Sequence, residues 1–265
     1  INGQYLGGNG IPGKTEKETK PWYERNFFRF DTGSDTLSIV VNVSNFSHRR
    51  GGFWLPVEMG SLEYAQKRFS GSLAKDWAIV SLLAGFSLFF LFFFIIYPRD
   101  RLIAFFSLAV FGLALRPLFT SNFLILSFAR PEWEWIIRFE YLFLYLVITG
   151  WYWFTVNLYP SKFFRILAWI VTALLLVTSV LTIILPVKVF SYSTFLYYPA
   201  LAVMIVYTLV QNVTGIIKKN RADYIYFAAF ILLSYGAVHD VIVSLGRPVS
   251  YPGYILSSML VVFVF

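Results

Sequence analysis

From Leu73 onward the sequence is a succession of long apolar runs, and no other feature limits the fold as much. A helix needs roughly 20 apolar residues to cross the hydrocarbon core of a bilayer. Runs of that kind occupy 73–97, 102–120, 133–158, 163–185, 194–217 and 224–245, and a seventh begins near Tyr254 and continues to Phe265. Lipid offers backbone groups no partners, so runs this long are predicted to be helices. The segments YPRDR, ARPEW, YPSKFFR, LPVKVFSYS, KKNRAD and GRPVSYPG separate them, with proline, glycine and charge where helices end. Composition agrees: only 14% of the 265 residues are charged, against roughly a quarter in soluble domains.

The loops set the orientation. Those after the first, third and fifth runs hold Arg99, Arg101, Lys162, Arg165, Lys218, Lys219 and Arg221. Those after the second, fourth and sixth hold Arg130, Lys188 and Arg247. Basic loops stay in the cytoplasm, so residues 1–70 are expected outside and the end of the seventh run inside. The net charge of +8 is then membrane topology, and no nucleic-acid partner is implied. Trp77, Trp133, Trp135, Trp151 and Trp153 are expected in the interfacial belts. With no cysteine, disulfides and thiolate metal sites are excluded. The chain opens at Ile1 and stops within an apolar run, MLVVFVF, and the expectation is an excerpt of a longer protein.

Residues 1–70 read differently. A Gly-, Lys- and Glu-rich stretch leads through DTGSDT, a turn signal, into TLSIVVNVS. There Leu37, Ile39, Val41 and Val43 alternate with Ser38, Val40, Asn42 and Ser44, the period of a half-buried strand. SHRRGG is a polar loop, and FWLPVEMG is a second strand that Pro56 confines to an edge or bulge.

Two sets of residues are candidates for chemistry. Asn45, His48, Arg49, Arg50 and Trp54 border the SHRRGG loop. Arginine offers a planar fork of donors to hydroxyl or carboxylate groups, and tryptophan a stacking face, so the loop suits a sugar or an anion. It also suits a solvated turn, or a basic loop that docks the outer region on the helices. The second set lies within the runs, where ionisable residues are rare and face the bundle interior. Counting 1.5 Å per residue, Arg116 sits about 22 Å and Asp240 about 25 Å from the inner side, and Glu140 roughly 10 Å from the outer. Arg116 is therefore expected to pair with Glu140 or Asp240 in an outer polar cluster with Arg138 and His239. Such a cluster serves as a structural ion pair, a ligand pocket or a proton-sensitive switch. No paired-histidine metal motif, phosphate loop or nucleophile elbow is present, and neither cofactor nor catalytic residue is expected.

Four stretches resemble the bacterial seven-transmembrane receptors with diverse intracellular signalling modules. LSIVVNVSNFSHRRGGFWLPVEMG is similar to the end of that family's extracellular jelly-roll domain. GSLAKDWAIVSLLAGFSLFFLFFFIIYPRDRLIAFFSLAVF resembles its first two spans, and RFEYLFLYLVITGWYWFTVNLYP and AVHDVIVSL its third and sixth. The resemblance implies a seven-helix membrane bundle, its seventh helix truncated, over 71–265, preceded by part of an all-β jelly-roll domain over 1–70. It implies a sensor in the bacterial inner membrane for an extracellular small molecule or carbohydrate. The signal would pass to a cytoplasmic output domain in cis, a kinase, cyclase or phosphatase that this segment lacks. Membrane lipid is a partner by necessity, and a homodimer is compatible with such outputs. The rival readings are a transporter, which needs a polar path through the bundle, and an assembly subunit that grips a partner with its outer region.

Overall fold

The computed structural model describes residues 1–31, 36–51, 57–247 and 254–264. Within them run α1 (Leu62–Ile96), α2 (Arg101–Phe119), α3 (Trp133–Leu158), α4 (Lys162–Ile184), the single-turn α5 (Val187–Phe190), α6 (Thr194–Ile217), α7 (Arg221–Ser244) and α8 (Leu256–Val264). Helices α1, α2, α3, α4 and α7, and the stretch Val187–Ile217, are each long and apolar enough to cross a membrane. Polar side chains fix the starts: Ser61, Asp100, Ser161 and Asn220 accept backbone N–H bonds from the first turns of α1, α2, α4 and α7. At the far end of α7, Gly246 takes a positive φ of 75°, which terminates the helix.

Helix α1 departs from the sequence reading. It begins at Leu62 rather than Leu73 and has 35 residues, about 52 Å of helix against roughly 30 Å of hydrocarbon. EYAQKR is made of good helix formers behind the Ser61 cap, so the helix projects beyond the apolar run.

The β structure read from residues 37–60 is not formed among the described residues of that stretch. Among the described residues there is no strand, and the single ladder contact is an isolated bridge between Ile11 and Lys20. Ile39, Val41 and Val43, the expected inner face, are 42%, 51% and 54% exposed. Alternation reports suitability for a pleated, half-covered surface, and the described chain supplies no partner strand to cover it. In the second expected strand, Phe53–Pro56 lie outside the described residues and 57–60 form none. A jelly-roll fold is therefore not seen here.

The bundle is organised around α3. Small residues bring α2 against it: a Cβ on Gly112 would meet Val147 Cγ2 at 2.7 Å, and one on Gly150 would meet the Ala109 backbone N at 3.1 Å. Such close approach is the usual basis of helix association in lipid. Between α1 and α2, Ser87 and Ser107 exchange hydroxyl-to-carbonyl bonds of 3.0 and 2.7 Å. Trp133 and Trp151 are buried between the helices, at 6% and 3% exposure. Helices α1, α4 and α6 turn bare faces of Phe, Leu, Ile and Val outward, as a lipid-facing surface requires.

Candidate functional site

The N-terminal segment folds over one end of the bundle. Tyr23 packs edge-on against Trp133 at 5.6 Å, and Arg25 donates to Asn122 Oδ1 at 2.8 Å. Residues 45–51 reach furthest in. Asn45 shapes this loop, donating to the His48 carbonyl at 2.8 Å and accepting the His48 N–H at 3.3 Å. His48, 9% exposed, meets the Tyr141 hydroxyl of α3 at 3.2 Å through Nε2. The Arg50 N–H donates to His48 Nδ1 at 3.1 Å, and the Tyr141 hydroxyl donates to the Ser191 carbonyl at 3.2 Å. His48 Nδ1 also meets the Arg50 carbonyl, a contact that favours the protonated ring. Burial pulls the His48 pKa down to about 4, and the adjacent Arg49 and Arg50 charges act in the same direction.

The two arginines close the end of α7. Arg49 Nη2 donates to the Ser244 hydroxyl at 2.8 Å and its carbonyl at 3.4 Å, with the guanidinium 5.0 Å from the centre of the Phe195 ring. Arg50 Nη1 donates to the Val243 carbonyl. Cations on the last carbonyls of a helix satisfy orphan acceptors and oppose its dipole. Asn45, His48, Arg49 and Arg50 thus face the bundle, and Trp54 lies outside the described residues.

One turn back along α7, Asp240 is a junction. Its Oδ2 accepts from Arg116 Nη1 of α2 at 3.0 Å and from the Leu256 N–H at 3.3 Å. Its Oδ1 accepts from the Ile255 N–H at 2.8 Å and lies 3.4 Å from His239 Nδ1. One carboxylate therefore holds a charge on α2 and caps α8. Arg116 and Asp240 are each 6% exposed, and the Arg116 guanidinium lies 4.5 Å from the centre of the Tyr254 ring.

The other two members of this set lie apart from the junction. Glu140 is half-buried, within electrostatic reach of Arg116 and Arg49, but Arg116 bonds to Asp240. Arg138 turns to the end of α4, donating to the Ile183 and Leu185 carbonyls at 2.9 and 3.1 Å, also to that of Thr182, and pairing with Glu134 at 2.7 Å.

At the opposite end a polar lock joins α3, α6 and α7. The Tyr159 hydroxyl donates to Asp223 Oδ1 at 2.6 Å and to Asn212 Oδ1 at 3.3 Å, and Asn220 Nδ2 donates to Asp223 Oδ2 at 2.6 Å. Sequence reasoning missed this lock, because Asp223 reads as part of the polar loop KKNRAD. Asn212, an amide inside an apolar run, was the available signal. It also missed Tyr141, Ser191 and Ser244, which receive the 45–51 loop. No group of three or more His, Asp or Glu able to hold a metal occurs among the described residues.

These features define a multi-pass helical membrane protein whose polar groups lie at the bundle ends and helix junctions. The family model for 7TM diverse intracellular signalling matches residues 75–265, and the chain belongs to that family. Its place is therefore among membrane signalling proteins. No curated protein and no solved structure matches the chain.

Proposed function

We propose that the chain is the sensory half of a bacterial inner-membrane receptor. Residues 1–60 belong to an extracytoplasmic region that responds to a small molecule or carbohydrate. The seven helices relay the response to a cytoplasmic output domain in cis. In this reading the exposed Val40, Val41 and Val43 pair with further strands of a jelly-roll domain. The observation that carries the proposal is the chain of contacts at the end of α7. The 45–51 loop grips Val243 and Ser244, and Asp240, one turn away, holds both Arg116 and the first N–H groups of α8. A ligand that favours the released loop over the docked one would shift that junction, since only differential binding moves an equilibrium.

The test is hydrogen exchange on the full-length protein in lipid nanodiscs, comparing wild type with Arg49→Ala/Arg50→Ala. Faster exchange is expected in 45–51 and also at Ile255 and Leu256, whose amides Asp240 holds. A change confined to 45–51 would remove the relay from this reading.

A further inference from the structure

A narrow crevice of about 80 Å³ runs inside the bundle between α6 and α7, with α3 as its floor. One face of α7 lines it from Phe230 to Ser244, about 21 Å of helix. The walls are mostly apolar: Leu144 of α3, Leu201 and Met204 of α6, and Leu233 and Ala237 of α7. Arg116 and Asp240 stand towards one end of it.

Three residues of this lining carry buried polar atoms without a partner among the described residues: Arg116 Nε, Trp151 Nε1 and Ser234 Oγ. Their residues are only 6%, 3% and 9% exposed. All three atoms can donate a hydrogen bond, and inside a bilayer no bulk solvent relieves them. Water alone fills the crevice poorly, because a buried water needs two to four polar partners. Ser234 and Asp240 are six residues apart on α7, about 9 Å, with apolar wall between them.

A linear hydrocarbon chain suits the long apolar walls, and acceptor oxygens suit the donors. Charge decides the head group. Arg116 is already neutralised by Asp240 at 3.0 Å, so a carboxylate would meet a balanced pair and the neighbouring Asp240 charge. An uncharged carbonyl takes the Arg116 Nε–H without that repulsion. We infer that the crevice binds an uncharged single-chain amphiphile, an acyl ester or amide, whose carbonyl faces Arg116. Trp151 and Ser234 serve oxygens further along. The occupant reaches the site as a free acyl compound or as an acyl chain of the surrounding bilayer. Bound there, it touches the Arg116–Asp240 junction directly. The inference depends neither on the orientation nor on the output proposed above.

The test is tryptophan fluorescence of the full-length protein in nanodiscs, titrated with methyl 9,10-dibromostearate, whose bromines quench nearby indoles. Saturable quenching is expected, with its saturable part absent in Trp151→Phe. Ala237→Leu, which fills the crevice, should abolish it at an unchanged melting temperature, and Ser234→Ala should raise half-saturation about fivefold. Free 9,10-dibromostearic acid should bind more weakly than its ester. Tighter binding of the acid would overturn the neutral head group. Nanodiscs made with brominated phosphatidylcholine distinguish the sources. Trp151-dependent quenching without added ester assigns the site to a bilayer chain, and quenching only on titration assigns it to a free compound. Unsaturable quenching that Trp151→Phe and Ala237→Leu leave unchanged, the signature of lipid-facing indoles alone, would overturn the site.

Discussion

At the scale of single residues, two side chains concentrate the energetic risk. Arg116 and Asp240 form an ion pair at 3.0 Å with both partners buried. Removing one partner of such a pair leaves a buried charge and costs about 3–5 kcal/mol. Arg116→Leu is therefore expected to lower the melting temperature sharply in detergent. Asp240→Asn should also be destabilising, because it leaves the Arg116 charge buried and unpaired. The double variant should recover part of that loss, and losses that simply add would mean that the pair itself contributes little. His48 gives the second prediction. An exposed histidine titrates near 6.5 and the docked ring only at about 4. Between those values the released loop binds a proton that the docked loop refuses. Docking is thus fully stable above 6.5, weakens as pH falls towards 4, and changes no further below it. The loss over that window is roughly 3 kcal/mol. Arg49, Arg50 and Tyr141 face the ring; the Arg50 carbonyl at Nδ1 favours the proton, and burial outweighs it. Amide protection of 45–51, corrected for intrinsic exchange, should fall between pH 7.5 and 5 in wild type and stay level in His48→Gln. Level protection in wild type would refute the assignment.

At the scale of elements, the same device recurs: a polar side chain from one segment closes the end of a helix in another. Arg49 and Arg50 close α7, Arg138 closes α4, and Asp240 opens α8. The Asp223 lock depends on an absence as well, since a Cβ on Gly215 would lie 2.0 Å from Asp223 Oδ2. Gly215→Ala must expel that carboxylate and break its bonds to Tyr159 and Asn220. It is expected to destabilise by about 2 kcal/mol, as should Asp223→Ala. The double variant should cost little more than either single one, because each removes the same contacts. Additive losses on thermal unfolding would place the Gly215 effect elsewhere. Most of the helical framework was legible in the sequence, because a bilayer permits one reading of a long apolar run. Trp133–Leu158 and Thr194–Ile217 fall where the runs do. The failures are physical. A period of two marks a surface fit for a sheet but not the presence of its partner, so 37–43 forms no strand in the described structure. Depth counting placed Arg116, Glu140 and Asp240 at one level but says nothing of azimuth. It therefore left open which acid meets Arg116, and grouped Arg138 with residues it turns away from. The caps escaped notice because their acceptors are backbone carbonyls, which carry no signature in side-chain pattern.

At the scale of the whole molecule, orientation decides what the parts can sense. The basic residues divide seven to three between the two sets of loops, and that bias favours the 1–60 segment outside. These 265 residues hold no cysteine, so a cysteine introduced among them is the only one in this stretch. Lys17 and Lys218 are both exposed, at opposite ends of the bundle. On intact cells a membrane-impermeant maleimide should label Lys17→Cys and spare Lys218→Cys until the membrane is broken. The reverse pattern would invert the reading of every loop. It would also change the meaning of His48. With the 45–51 loop outside, its weakening below pH 6.5 couples the α7–α8 junction to acidification of the surroundings, where large pH changes occur. With the loop inside, buffered cytoplasm would hold it docked, and the same histidine would serve only to fix the loop on Tyr141. The labelling pattern therefore decides whether the His48 titration window is one the protein meets in the cell.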